Sequence, residues 1–314
     1  MYRIGIDLGG TNIVAGVVDD SYRIIATAKC KTATPRPAEE IIADMARVSR
    51  EAVQAAGLTM DDIDGVGVGS PGVCNADTGV IERAANLGFI QVPLRDALSA
   101  LLNKPVTIEN DANAAAYGEL LAGAAKGKSS CVCITLGTGV GGGVIIDGKI
   151  IAGSNFAGTE LGHTVIVVDG VPCSCGRKGC WETYASATGL IRQTRDAMQA
   201  NPNSVMWKLA GNLDRVSGRT AFDAMRAGDA IGKQVVDTYI KYVAAGITNM
   251  INIFQPEVLC VGGGICKEGE TLMAPLRAHI EKERFSQYSE KQTEICAAKL
   301  GNDAGIIGAA YLGL

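Results

Sequence analysis

The sequence predicts an α/β protein built from two related domains. Three observations carry that expectation. Short apolar runs of strand character alternate along the chain with longer stretches of helical periodicity. A strand, a glycine turn and a second strand occur twice, Ile6-Asp7-Leu8-Gly9 matching Ile134-Thr135-Leu136-Gly137 at an offset of about 128 residues. A length of 314 residues is enough for two hydrophobic cores.

Taken in order, the first strand is Tyr2 to Leu8, followed by the turn Gly9-Gly10-Thr11 and a second strand from Ile13 to Val18. A helix is expected from Ala38 to Ala56, with Pro37 before it, Glu39 and Glu40 in its first turn and Gly57 closing it. Gly65 to Val68 is a short strand ending in the loop Ser70-Pro71-Gly72. Val106 to Glu109 is another, running into a helix from Ala112 to Ala122. The opening pattern then returns as the strand Cys131 to Leu136, the turn Gly137-Thr138-Gly139 and the strand Gly143 to Ile146. Helical stretches follow at Ala185 to Ala200, Thr220 to Ala227 and Ala230 to Phe254, the last stopped by Pro256. A buried strand, Val258 to Val261, opens into Gly262-Gly263-Gly264, and a last helix covers Ala304 to Leu312. Two unrelated hairpins would give the same repeat signal, so the duplication stands as an expectation.

Composition narrows the function classes. A net charge of −4 gives no footprint for nucleic acid. The most apolar region, Cys131 to Ile151, is interrupted by glycines and Asp147 and makes a poor membrane span. Asp7 breaks the N-terminal apolar stretch, so no signal peptide is expected. Ten cysteines in a chain of this size indicate a reducing, cytoplasmic setting rather than a disulfide scaffold. Cys131, Cys133 and Cys260 fall in strand patterns as small buried hydrophobes.

Both glycine turns have the composition of phosphate cradles. Glycine lets backbone N–H groups approach anionic oxygens, and Thr11 and Thr138 add hydroxyl donors. Neither is a Walker loop, since no Gly-Lys-Ser/Thr follows. Gly137-Thr138-Gly139-Val140-Gly141-Gly142 also fits the dinucleotide fingerprint, with Glu160 at the acidic position. That fingerprint must open a helix, and strand residues come next here. Ordinary hairpins remain the plainer alternative. Asp7, just before the first turn, is placed to hold Mg²⁺ directly or through water.

Glu109-Asn110-Asp111-Ala112-Asn113 lies where a strand hands over to a helix, a favoured active-site position in α/β sheets. Either Asn110 or Asp111 could cap the helix. A kinase acting on an alcohol needs one carboxylate to accept the hydroxyl proton, which Asp111 can supply beside a hydroxyl-binding Asn110. The most specific signal is His163 with Cys173, Cys175 and Cys180, whose residue types complete a tetrahedral Cys₃His zinc site. A redox cluster or unrelated thiols are the alternatives. Glu160 and Glu182 flank these ligands as candidate acceptors for sugar hydroxyls.

These landmarks, from Asp7-Leu8-Gly9-Gly10-Thr11-Asn12 through Glu109 to Asn113, Leu136 to Gly139, Glu160-Leu161-Gly162-His163, the Cys173 to Glu182 run and Gly262-Gly263-Gly264, resemble the ROK sugar kinases. Among these the likeness is greatest to the bacterial glucokinases, and it covers essentially the whole chain. It implies a two-domain actin-like, hexokinase-like ATPase fold of ribonuclease H-like duplicated domains with an interdomain cleft. Residues 1–118, completed by a returning helix at 301–314, would form a small domain. Residues 119–300 would form a large one with a zinc-binding insert at 163–182. The resemblance implies ATP-dependent phosphorylation of a hexose, most naturally glucose, with Asp111 as base. Fructose, mannose, allose or N-acetylhexosamine, and polyphosphate in place of ATP, remain open. The hexose would touch Gly72, Asn86, Asn110, Asp111, Glu160, His163 and Glu182. ATP with Mg²⁺ would lie near Asp7, Gly9, Gly10, Thr11, Asn12, Gly137, Thr138, Gly139, Gly263 and Gly264. The zinc would be structural and the assembly a homodimer. The family also contains sugar-responsive repressors, which carry a DNA-reading module ahead of the kinase-like body; with the first strand at Tyr2, an enzyme is expected.

Overall fold

The computed structural model describes residues 1–313. In chain order the strands are β1 (Tyr2–Leu8), β2 (Asn12–Asp19), β3 (Ile24–Lys31), β4 (Ile63–Ser70), β5 (Val73–Asn75), β6 (Val80–Ala84), β7 (Phe89–Val92), β8 (Val106–Asn110), β9 (Cys131–Leu136), β10 (Val140–Ile146), β11 (Lys149–Ile150), β12 (Val258–Gly262) and β13 (Glu294–Ala297). The α-helices are α1 (Ala38–Ala55), α2 (Leu94–Leu102), α3 (Asp111–Leu121), α4 (Glu182–Ala185), α5 (Ala187–Ala200), α6 (Val205–Ala210), α7 (Thr220–Arg226), α8 (Ala230–Phe254), α9 (Glu270–Glu283) and α10 (Asp303–Ala310).

Two five-stranded sheets have the same order, β3-β2-β1-β4-β8 and β11-β10-β9-β12-β13. In each, the strand that enters a glycine turn is central. β1 pairs antiparallel with β2 and parallel with β4, which pairs parallel with β8. In the second sheet β10 and β11 are antiparallel, and β12 and β13 are parallel. The duplication expected from two hairpins therefore extends to whole sheets. Strands β5, β6 and β7 form a small third sheet.

The chain divides into two compact units. The first comprises Met1–Cys133, Gly143–Thr159 and the stretch from Ala298; the second comprises Ile134–Gly142 and Glu160–Ala297.

In the first unit, α1 buries Ile41, Ile42, Met45, Val48 and Val53 on the face nearest β2 and β3. The other side of the sheet receives α10. Gly5 on β1 and Gly67 on β4 let it lie directly on the strands, because a Cβ at either would collide with the carbonyl oxygen of Ile306 or Ala309. Gly118 and Gly308 permit the same close approach between α3 and α10, again against helix backbone.

In the second unit, α8 is the buried spine. Trp181 is fully enclosed, donates its Nε1–H to the Tyr242 carbonyl at 2.8 Å and fills a notch at Gly246 that any Cβ would close.

Two expectations shift on the structure, and one open choice is decided. Strand β10 starts at Val140 rather than at Gly143, since the hairpin strand continues through the glycines; at Gly143, moreover, a Cβ would crowd Ala116 and Ala112 of α3. The helix expected at Ala185 to Ala200 breaks at Ser186, whose hydroxyl accepts the Gly189 N–H at 3.0 Å and caps α5. Asn110, not Asp111, caps α3. Among the described residues no helix is long and apolar enough to cross a membrane.

Candidate active site

The first unit gathers two carboxylates at strand ends. Asp7 lies near the end of β1, in register with Val14 on β2 and Gly69 on β4. Asp111 opens α3 beside Gly69, where a Cβ would come 3.5 Å from the Asp111 Cα. Asn110 accepts the Ala112 and Asn113 amides at 2.9 and 3.3 Å, while its amide nitrogen donates to the Gly72 carbonyl at 3.2 Å. Asp111 Oδ1 accepts the Ala112 N–H at 2.8 Å, and no other side chain among the described residues bonds this carboxylate. Burial holds the Asp111 carboxyl above the usual carboxylate range. Burial, with the Asp111 charge second, pushes Asp7 up to about 6.

Glu109 stands behind this pair. It is buried, accepts the Asn110 N–H at 2.8 Å and the Asn113 side-chain amide at 3.0 Å, and burial raises its carboxyl. Asn113 in turn accepts the Thr159 hydroxyl at 3.3 Å. Sequence reading gave Glu109, Asn113 and Thr159 no role; the polar cluster Glu109 to Asn113 was the available signal for the first two, and Thr159 had none.

The turn after β1 closes with the Gly9 N–H on the Asn12 carbonyl at 2.9 Å. Thr11 is exposed at its tip. The Asn12 side chain is taken by Lys31 Nζ at 3.0 Å. Gly10 lies against Asn86, a Cβ at Gly10 falling 3.5 Å from that of Asn86. Gly72 has φ +91, and a Cβ there would collide with the Arg83 carbonyl. Thus Asp7, Gly72, Asn110 and Asp111 form one neighbourhood in this unit, and Gly10 and Asn86 form a second contact within it.

The second unit carries the other turn. Gly137 N–H donates to the Gly139 carbonyl at 3.0 Å. The Val140 N–H donates to Glu182 Oε2 at 3.0 Å, and the Ala187 N–H to the Gly137 carbonyl at 2.8 Å. Gly263, φ +95, is pressed against Leu136 at the entrance to this turn, and Gly264 beside it has open space. A cavity of about 380 Å³ adjoins Thr138 and Gly139, with Arg192, Ser186 and Thr188 in its wall.

His163, Cys173, Cys175 and Cys180 converge, their ligand atoms all within 4.8 Å of one another. Two tight turns make this possible. Cys173 N–H donates to the Arg177 carbonyl, and Gly176 (φ +90) and Gly179 (φ +75) take backbone angles that side chains disfavour. Cys173 Sγ to His163 Nδ1 and Cys175 Sγ to Cys180 Sγ are both 3.6 Å. Ligands of a tetrahedral zinc lie about 3.6–3.8 Å apart, so the donor set fits that ion. Nδ1 faces the thiols, so with a metal on Nδ1 the proton would sit on Nε2. Glu182 joins the cluster, Oε1 lying 4.0 Å from Cys173 Sγ, and Glu160 is exposed with its carbonyl accepting the His163 N–H.

Comparison with known proteins identifies the family. The model of the ROK family matches residues 3–314. The chain is 37% identical to the glucokinase of Streptomyces coelicolor, over 98% of this chain and 96% of that one. It superposes on a ROK family glucokinase from Streptomyces griseus in complex with glucose and AMPPNP at a TM-score of 0.81 and 36% identity, covering 99% of both chains. A ROK hexokinase from Thermus thermophilus matches at 0.83 and 33%, over 99% of this chain and 97% of that one.

Proposed function

The chain belongs to the ROK family, and from that premise we infer that it is an ATP-dependent sugar kinase, a glucokinase that forms glucose 6-phosphate. Its fold is the two-domain actin-like ATPase fold. The observation that carries the reading is the half-buried Asp111 at the head of α3, its carboxylate held only by backbone amides and Asn110 fixed beside it.

In this reading the hexose hydroxyl oxygen attacks the γ-phosphorus of ATP. Its proton passes to Asp111, the new O–P bond forms, and the bond to the β-phosphate oxygen breaks to release ADP. Gly72, Asn86 and Asn110 in the first unit, and Glu160, His163 and Glu182 in the second, are the proposed sugar contacts. The two glycine turns hold the phosphates, Gly263 and Gly264 flank the adenosine, and Asp7 is the residue that would hold Mg²⁺, which supplies charge neutralisation when bound. His163, Cys173, Cys175 and Cys180 would hold a structural zinc, whose four filled positions leave none for a reactive water. The same reading keeps 1–118 with 301–314 and 119–300 as the functional domains, and expects a cytoplasmic homodimer with no nucleic-acid or membrane partner.

A coupled ADP-release assay across glucose, fructose, mannose, allose and N-acetylhexosamines, with ATP and polyphosphate as donors, tests it. Turnover highest with glucose and ATP is the expected result. Preference for another hexose would move the substrate, and sugar binding without turnover would make the chain a sensor rather than an enzyme.

A further inference from the structure

The two glycine turns share a feature beyond their glycines. Every backbone carbonyl in them is already occupied by a donor from the chain. In the first, Gly9 O accepts the Thr32 hydroxyl at 2.6 Å and Gly10 O the Thr34 hydroxyl at 3.4 Å. Thr11 O accepts the Thr32 amide at 3.0 Å and Asn12 O the Gly9 amide at 2.9 Å. In the second, Gly137 O accepts the Ala187 amide at 2.8 Å, Thr138 O the Thr188 hydroxyl at 2.8 Å, and Gly139 O the Gly137 amide at 3.0 Å.

The donors are distributed the other way. The amides of Gly10, Thr11, Thr138 and Gly139, and the hydroxyls of Thr11 and Thr138, have no partner among the described residues. Carbonyl lone pairs repel anionic oxygens, whereas free N–H groups attract them. A turn whose carbonyls are all engaged offers an approaching anion only donors. Thr32 is fully buried, which holds its hydroxyl in place, whereas Thr188 sits in the first turn of the capped helix α5. The two sheets thus use the same device with donors drawn from unrelated places, a strand-end loop in one and a helix start in the other.

We propose that Thr32 and Thr188 are positioning residues for the nucleotide triphosphate: by engaging the Gly9 and Thr138 carbonyls they leave both turns as donor-only surfaces for phosphate oxygens. The proposal rests on the reading of the chain as an ATP-dependent kinase and specifies how its phosphate sites are held. Neither residue touches the sugar or the reacting atoms in this scheme.

Thr32→Val and Thr188→Val keep side-chain shape and delete the donor; Thr32→Ser and Thr188→Ser retain it. Calorimetry with ATP, adenosine and glucose, together with steady-state kinetics and melting temperature, reads the effect. Each valine variant is expected to weaken ATP binding roughly 5- to 20-fold, the size of one lost hydrogen bond with its carbonyl left bare. Adenosine and glucose affinities should be unchanged, and serine should restore ATP binding. Because Thr188 is exposed, Thr188→Val carries the test even if the buried Thr32→Val fails to fold. Equal losses for ATP and adenosine, unchanged ATP affinity in Thr188→Val, or serine behaving like valine would overturn the proposal. Wild-type protein that bound no ATP would instead remove the kinase reading itself.

Discussion

The carboxylates of Asp7 and Asp111, one at the end of β1 and one at the start of α3, share a site in which the charge on Asp111 helps to hold Asp7 protonated up to about pH 6. Burial is the larger cause, and among the described residues no cation offsets either charge. Two half-buried acids left in this state cost stability, and such a cost marks a site arranged for a ligand.

Asp111→Asn preserves shape and removes the base. kcat is expected to fall about 10²- to 10⁴-fold with hexose affinity changed little. Steady-state kinetics alongside sugar calorimetry checks this; retention of more than roughly a tenth of kcat would place the base elsewhere. Because burial raises the Asp111 carboxyl, the acidic limb of the wild-type profile should lie above the ordinary carboxylate range, with activity lost as pH falls through it.

Asp7→Asn should stabilise the ligand-free protein at neutral pH while abolishing turnover. The folded-state value, about 6, lies above the ordinary 3.8. The folded form therefore binds more protons between those limits, and stability declines as pH rises through that window. The gain from the Asn variant should be full above about pH 6, on the order of 1–3 kcal/mol, and vanish near pH 4. Denaturant melts at pH 4 and pH 7.5 without Mg²⁺ provide the comparison, and equal gains at both would refute the assignment.

Elemental analysis should find about one zinc per chain, as a filled Cys₃His set requires. Cys175→Ala, or a strong chelator, should remove it and weaken hexose binding, since His163 is one of the four converging groups and Glu182 Oε1 lies 4.0 Å from Cys173 Sγ. Normal hexose binding by zinc-free, folded protein would reduce the cysteine cluster to a local staple.

Gly72→Ala tests the loop that Asn110 grips. With φ +91 and the Arg83 carbonyl in the way of a Cβ, the loop must shift, at a cost of about 1–3 kcal/mol. Hexose KM should rise more than ATP KM. A variant with wild-type melting temperature and hexose KM would show that Gly72 lies outside the sugar site.

Much of the fold was legible because its signals are local. The first strand and the long helix α8 match their expected bounds, since continuous apolar runs and the stop at Pro256 need no tertiary information. Edge and accessory elements were not: β3 alternates half-buried and exposed residues and carries little apolar signal, while α9 contains Pro275, which reads as a helix break. Around the candidate site, the glycine turns and the converging His163 and cysteines stood out by residue type and spacing. Glu109, Thr32 and Thr188 could not, because their importance lies in which carbonyl or amide the fold brings to them.

Helix α10 lies in the glycine grooves of β1 and β4 and against α3, so residues near the end of the chain complete a core begun by residues at its start. During synthesis the first sheet leaves the ribosome long before α10 exists, and its apolar face must wait uncovered while more than half the chain is still being made. The second unit, whose segments all precede Ala298, has no such delay. Maturation of the nascent chain should therefore run against the order of translation, with the unit that carries Asp7 and Asp111 closing last and the interval before α10 emerges being the time of greatest need for a chaperone.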